Sequence, residues 1–561
     1  MYSDSKIKPF AFSSSYVDFN DQNFLKIKQE CLEAAKYFED NQFPESKITK
    51  NAVWLRPGQI VKYPKLFVNG CSRFDLKQGN NLGNCWVIAA MANLAMHPKL
   101  LNQVVCIDNG DFDESYAGIF HFRFWHNAHW IDIVIDDRLP TQNEKLMFVR
   151  STEENEFWSA LLEKAYAKLY GGYDYIIGGF CNDALSNFTG GVTETYDLCN
   201  PDPKLFIMMK KSFERNTLMD VALLDPSKER LGLYSPHAYS ITKVVTIKTL
   251  DDKEVDLIRI RNPWGNHVEW RGAWSDKSKN WENVSDEEKA RIKFKVNTDG
   301  EFYMSFQDFL KSFDEIEICN LTPDLLDCTP RSDREWKMKS FIGTLNNDSH
   351  YFELFDPDDD DDLCTVVISI CQFRENHEDA LTEIYFQIKS KGELVLEKDL
   401  KNFAREKVCR EYFKPGIYSI DVYGEDDYKY LLRIFYEDKI YYETSVAIEN
   451  DFYEYFNIFD VDDIPEKMSI PKIICPIEND HNCYVYFENE KSQDRFEFKQ
   501  NVEINKLPIV PKYQKNVKVQ KSAKNSGLCM RMGKILVYIW LFFVIFGFFL
   551  IASLIYDTIK T

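Results

Sequence analysis

The chain has little of what marks unstructured or cross-linked proteins. Only 23 glycines and 20 prolines occur in 561 residues, so no collagen-like or linker-dominated composition is present. The 14 cysteines form no CxxC pair and no knottin-like spacing. Neither a zinc site nor a disulfide framework is indicated, and a reducing, cytosolic environment is expected. Positive charge is in deficit: 68 Lys+Arg against 89 Asp+Glu leave a net charge of −21. Such a surface repels phosphates, which excludes non-specific nucleic-acid binding. The N-terminal MYSDSKIKPFAFSSS lacks the apolar core of a secretory leader. There is no internal repeat and no EF-hand: the acidic run Phe355-Asp356-Pro357-Asp358-Asp359-Asp360-Asp361-Asp362 lacks the required glycine at the sixth place and glutamate at the twelfth.

What is present is apolar material. Hydrophobic residues make up 45% and aromatics 15%, enough for several cores, and the length implies three or four domains. Ile535 to Tyr556 reads ILVYIWLFFVIFGFFLIASLIY, an uncharged stretch that spans roughly 33 Å as a helix, and it is predicted to cross a membrane. Only Asp557 to Thr561 follow, so insertion is expected after synthesis. The preceding neck carries Lys512, Lys515, Lys518, Lys521, Lys524, Arg531 and Lys534. Basic flanks stay on the cytosolic side and attract anionic lipids, which places the body in the cytosol. Cys529 is either an acylation site or a spectator thiol.

Within the body, residues 20–40 show helical spacing, Asn84 to Met96 and Glu156 to Tyr170 read as helices, and Phe120 to Phe124 and Trp130 to Ile135 read as strands. Short aromatic and β-branched strands dominate from about 200 to 325. From 335 to 445, strong alternation (TVVISICQF, EIYFQIK, IYSIDVYG, YLLRIFYE) predicts an antiparallel sandwich.

Cys85 stands out by its setting. In QGNNLGNCWVIAAMANLAM a glycine-containing loop runs into an apolar helix that begins at or just before the cysteine. A thiol there feels unpaired backbone N–H groups, which favours thiolate. His237 follows in LYSPHAYSITKV and Asn262 in IRIRNPWG. The order Cys, His, Asn at this separation is that of papain-like proteases, in which histidine deprotonates the thiol and asparagine orients the imidazole.

With Gly-Asn-Cys-Trp, His237-Ala-Tyr-Ser, Arg261-Asn-Pro-Trp-Gly and Val268-Glu269-Trp270 in place, the chain resembles the calpain catalytic core. AGIFHFRFW, DDRLPT, EFWSALLEKAYAKLYGGY, FTGGVTE and DGEFYMSFQDFL extend the resemblance from about Phe43 to Thr322. It continues more loosely through the sandwich. The implied class is α+β: a papain-like two-subdomain cysteine protease core, an antiparallel calpain-type β-sandwich and a C-terminal transmembrane helix. The corresponding divisions are an N-terminal region with a docking helix (1–42), protease subdomain 1 carrying the cysteine (43–200), subdomain 2 carrying histidine and asparagine (201–330), and the sandwich (335–447). A β-rich region of unknown fold (448–510), a basic linker (511–534) and the membrane helix (535–556) follow.

The resemblance implies roles. Cys85 is the nucleophile, His237 the general base and acid, and Asn262 the orienting residue. Trp264 shields the Asn–His hydrogen bond, and Gln78 donates to the oxyanion beside the Cys85 backbone N–H. In the family that glutamine lies one residue closer to the cysteine; here Gly79 to Asn84 intervene, so either the loop bulges, Asn80 substitutes, or the hole is weak. Calcium is implied at two sites. The first uses Asp75, Glu156 and the carbonyls of Val68 and Gly70; the second uses Glu269, Asp276, Asp299, Glu301 and the carbonyl of Asn297. Each ion gathers carboxylates and turns one subdomain until Cys85 meets His237. Protein substrates and membrane lipids are the implied partners, and no EF-hand small subunit is expected. The acidic run is either solvated, in contact with the core, or a calcium or lipid site. Two other readings use the same features: a catalytically weak scaffold, and a calcium-dependent lipid-binding module centred on the sandwich.

Overall fold

The computed structural model describes residues 16–43, 47–79, 82–321, 334–355, 357, 362–374, 381–400, 404–425, 428–439, 441–445, 469–476, 482–488 and 495–501. Two compact units are distinguished, Met1–Asp438 and Lys439–Thr561.

The first lobe of the larger unit is built around the helix Cys85–Ala95. Its sequence, CWVIAAMANLA, has neither glycine nor proline, and every residue after Cys85 is buried. A helix apolar on all sides belongs at the centre of a core. Around it pack the helices Trp158–Leu169 and Cys181–Thr189 and the hairpin Ile119–His126/His129–Asp136. Trp158–Leu169 is itself buried throughout, and its lysines are paired: Lys164 Nζ lies 2.6 Å from Asp136, and Lys168 Nζ 2.6 Å from Asp40. The helical spacing of residues 20–40 yields a shorter helix, Phe24–Glu33. The Asn23 side chain caps its start by accepting the Lys26 N–H, and the chain turns into the left-handed region at Ala35 (φ 48°). Phe24 docks it on the hairpin.

The second lobe is a six-stranded antiparallel sheet. Its order is Glu301–Ser305, Glu254–Arg261, His237–Lys248, Leu218–Leu223, Glu315–Asn320, Val192–Asp197. It has its own apolar core, including Leu205, Met209, Tyr239, Ile258, Phe302 and Phe309. Two separate cores, one per lobe, leave a groove between them.

Two four-stranded sheets follow, sharing one apolar core. One is ordered Arg334–Thr344, Lys429–Lys439, Cys364–Gln372, Glu406–Phe413; the other Ser349–Leu354, Gly416–Gly424, Ile384–Ser390, Glu393–Leu400. The strand Cys364–Gln372 is buried at every position. One face lines the sandwich core, while Val367, with Phe435, meets Val192 of the second lobe. Charge reinforces this seam. Arg410 makes a bidentate pair with Glu194 (2.9 and 2.8 Å), and Arg433 donates to the carbonyls of Gly190 and Gly191.

The smaller unit contains an antiparallel sheet of Tyr441–Ser445, Ser469–Pro476, Asn482–Glu488 and Arg495–Asn501. Among the described residues no helix is long and apolar enough to cross a membrane. The predicted span 535–556, the basic neck, Cys529 and most of the acidic run lie outside the described residues.

Candidate active site

The groove between the lobes has a volume of about 1080 Å³ and is lined by Gln78, Cys85, His237 and Trp264, among others. Cys85 opens the central helix of the first lobe. That helix packs on the strand His237–Lys248, and the Ser240 hydroxyl donates to the Ala89 carbonyl at 2.9 Å. His237 begins this strand; Asn262 directly follows its neighbour Glu254–Arg261, where Arg261 is in register with Ser240. Adjacent antiparallel strands thus bring together two residues 25 apart in sequence, and His237 Nε2 lies 2.9 Å from Asn262 Oδ1.

Asn262 is held from several directions. Its side-chain amide donates to the Val268 carbonyl (3.1 Å), its Oδ1 also accepts the Trp264 N–H (3.1 Å), and its own N–H donates to Gly300 (2.8 Å). Gly300 has φ +84°, and a Cβ there would stand 2.9 Å from the Asn262 carbonyl, so glycine is required. The Trp264 indole lies 4.8 Å from the imidazole, ring centre to ring centre. Asn262 is fully buried and His237 nearly so, so the hydrogen bond between them is shielded from water.

Electrostatics correct one expectation. A helix N-terminus favours thiolate, but burial outweighs it and pushes the Cys85 thiol up, against smaller lowering by the backbone N–H groups of Ala238 and Trp86. Burial also lowers His237 to about 4, partly offset by Asn262. Both shifts favour the neutral forms of thiol and imidazole.

The loop before Cys85 is stapled across the groove. The Gln78 N–H donates to Pro263 (3.0 Å), and Arg261 donates to the Leu76 carbonyl (2.6 Å). Gly79 leaves no space for a side chain: a Cβ would meet the Met147 carbonyl at 2.4 Å. Asn80 and Asn81 lie outside the described residues. Gln78 borders the groove, but its amide is turned inward, donating to the Leu82 carbonyl (2.8 Å) and Asn84 Oδ1 (3.4 Å), while its own Oε1 is buried without a partner. Sequence reasoning missed the group that anchors this loop. Glu163 accepts from the Asn84 side chain at 2.7 Å and from the Val149 N–H, and burial pushes its carboxyl up to about 8. The available signal was an acid in the middle of the apolar helix of EFWSALLEKAYAKLYGGY.

The carboxylates expected to hold cations form two groups. Asp75 and Glu156 are buried near each other; burial raises both, Glu156 to about 7, and their mutual repulsion adds to the latter. Glu156 accepts the Val68 N–H (2.6 Å) and the Ser151 hydroxyl (2.6 Å), and Asp75 accepts the Ser72 N–H (2.5 Å). Gly70 lies in the same loop, at φ +90°. In the second group, burial raises Glu269 to about 7 and Asp276 to about 6, and Asp299 adds repulsion to both. Asp276 accepts the Asn297 N–H at 3.0 Å. Glu301 is differently engaged: Arg73 holds it bidentately (2.7 and 2.8 Å) and Arg259 approaches to 3.3 Å. Hard oxygens that repel one another suit a calcium ion. The donor chemistry of both groups is that of calcium, but among the described residues the carboxylates of the second do not converge within 4.8 Å, and Glu301 is tied to arginine.

Residues 19–320 match the family model described as calpain family cysteine protease. Calpain-A of Drosophila melanogaster is 43% identical over 398 residues, covering 64% of this chain and 48% of that protein. Calpain clp-1 of Caenorhabditis elegans is 43% identical over 394 residues (63% and 50%), and human Calpain-9 is 44% identical over 320 residues (54% and 46%). The chain spans about half the length of these curated relatives. With more than half of its residues inside the family model, its cysteine and histidine lining one groove and its asparagine bonded to that histidine, the chain belongs to the calpain family of cysteine proteases.

Proposed function

We propose that the protein is a calcium-dependent cysteine endopeptidase, tethered to a membrane by its C-terminus with the catalytic body in the cytosol, performing limited cleavage of cytosolic or membrane-associated proteins. The observation that carries the protease reading is the His237–Asn262 hydrogen bond of 2.9 Å, with His237 and Cys85 both lining one groove. His237, its Nε2 held by Asn262, takes the Cys85 proton on its other nitrogen, and the thiolate attacks the peptide carbonyl. The Cys85 N–H at the helix start receives the oxyanion, joined by Gln78 once its amide leaves Leu82. As the C–N bond breaks, His237 returns the proton to the leaving amine and a thioester remains. Water, deprotonated by His237, hydrolyses the thioester and restores the thiol. Trp264 keeps solvent from the orienting bond throughout.

Asp75 and Glu156 would hold one calcium ion, and Glu269, Asp276 and Asp299 the other, with Glu301 joining if Arg73 releases it. Bound there, calcium supplies the positive charge that offsets carboxylate repulsion. The membrane reading rests on Ile535–Tyr556 and the basic neck, and anchoring would raise the effective concentration near membrane substrates.

A truncated protein ending at Val510, titrated with calcium against casein, tests the reading. Hydrolysis should appear with calcium and fall by more than about 10³-fold in Cys85→Ala. A thiol-reactive epoxide should label Cys85 only with calcium. The inward-turned Gln78 amide favours a second reading, a weakly active scaffold. It gains support if Gln78→Ala changes kcat by less than about tenfold, since a working oxyanion donor is worth about 10²–10³.

A further inference from the structure

Away from the groove, three elements of the first lobe bring a thiol, an imidazole and two carboxylates together. Cys106 lies in the turn after the helix Pro98–Val104, His121 on the strand Ile119–His126, and Asp132 on its hairpin partner His129–Asp136. In the hairpin register His121 faces Val134 and Asp132 faces Arg123, so the two are diagonal neighbours. The ligand atoms of Cys106, His121 and Asp132 all lie within 4.8 Å of one another, and all three residues are no more than 2% exposed. Asp108, whose side chain is half exposed, approaches the same ring from the opposite side.

The imidazole is fixed in orientation. Phe24 stacks flat on it at 3.8 Å and 9°. Asn109 clamps its backbone, donating to the His121 carbonyl (2.8 Å) and accepting the His121 N–H (2.7 Å). Nδ1 lies 2.8 and 2.9 Å from the two oxygens of Asp132, and Nε2 lies 3.1 Å from Asp108. A metal-bound histidine is expected to give its second ring N–H to a carboxylate, an arrangement that fixes its tautomer. Here each ring nitrogen already has such a partner.

We propose that this cluster is a zinc site: Cys106 Sγ, His121 Nδ1 and the Asp132 carboxylate as ligands, with Asp108 accepting the Nε2–H as the orienting acid. The donor set selects the metal. Zinc accepts sulfur, nitrogen and oxygen together, whereas calcium takes oxygen alone. The distances are near those required. With bonds of about 2.0–2.1 Å, a tetrahedral nitrogen–oxygen edge is about 3.3 Å, against 2.8 Å here. A sulfur–nitrogen edge is about 3.6 Å, so a thiol within 4.8 Å of its partners needs a shift of at most about 1.2 Å. Arg123, 3.7 Å from Asp132, stays as the neighbouring cation. The bound ion would tie the segment after Pro98–Val104 to the hairpin on which Phe24 docks.

The test uses the full chain carrying Cys85→Ala, so that neither self-cleavage nor zinc on the groove thiol confuses the reading. After expression in zinc-supplemented medium and passage over a weak chelator, elemental analysis should find one zinc per chain. Cys106→Ser should lower the content at least about tenfold, while Cys199→Ser, at an exposed thiol outside the cluster, should not. Added zinc should raise the melting temperature of the parent and not that of Cys106→Ser. Cobalt substitution should give a sulfur-to-metal charge-transfer band that disappears with Cys106. Zinc far below one per chain in the parent, or equal in Cys106→Ser, overturns the proposal. If Cys106→Ser does not fold, Asp108→Asn, at a half-exposed position, takes its place: a weaker zinc affinity by about 10–100-fold supports the site, and an unchanged affinity overturns it.

Discussion

His237 owes its usefulness to what surrounds it. Asn262 on one nitrogen and the Trp264 indole nearby leave one productive ring orientation. Asn262→Ala should therefore lower kcat by about 10²-fold, the cost of a misaimed base, with KM little changed; steady-state kinetics on a short peptide checks this. Glu163 makes a different prediction. Its carboxyl is raised from 4.5 to about 8 by burial, so the folded protein binds that proton more tightly than the unfolded chain. The stabilising contribution of the neutral form is complete below pH 4.5 and is lost as pH rises toward about 8. Glu163→Gln keeps an oxygen for Asn84 and Val149 without the charge. Its melting temperature should decline less than the parent's across that window, as read by calorimetry at several pH values; parallel declines would remove Glu163 as the cause.

Among elements, the seam between sandwich and protease core rests on a few buried contacts. Arg410 and Glu194 are each at least nine-tenths buried and bidentately paired. Arg410→Met leaves Glu194 without its cation and should cost about 3–5 kcal/mol in urea unfolding, while the double change Arg410→Met/Glu194→Leu should recover most of it. Regular elements with clear periodicity were legible from residues alone. The helix at Cys85 and the hairpin of AGIFHFRFW are legible as long apolar runs, and most of the sandwich strands as alternation. Where several terms compete, the residues alone decide less. Residues 20–40 have helical spacing, yet the helix stops at Glu33. The thiol at a helix start is favoured as thiolate by its backbone, while burial pulls the other way. Gln78 reads as an oxyanion donor, and in this structure its amide donates to the Leu82 carbonyl. The cysteine and histidine that line the groove, and the asparagine bonded to that histidine, stand out in the sequence through their local contexts. The Cys106 cluster does not, because its members are scattered singly through one turn and two strands, and only the hairpin register brings them together.

At the scale of the whole molecule, four Asn-X-Ser/Thr motifs, at Asn187, Asn283, Asn320 and Asn347, report on sidedness. Asn187 and Asn320 are buried. Asn187 is also engaged by Tyr166 and by the Trp125 carbonyl, so neither can carry a glycan in the folded chain. Asn283 and Asn347 are exposed, the amide of Asn283 on Asp251. With the body in the cytosol, both should remain unmodified in membranes of expressing cells. Endoglycosidase-sensitive shifts that disappear in Asn283→Gln/Asn347→Gln would reverse the orientation. The division of the groove between two cores has a kinetic corollary. His237 and Asn262 ride on a single sheet, whereas the sulfur belongs to a helix rooted in the opposite core. Any rocking of one core against the other therefore spares the imidazole–carboxamide contact and alters only the approach of sulfur. Alkylation rate at that one atom becomes a ruler for lobe separation, while proton exchange at the ring keeps constant time.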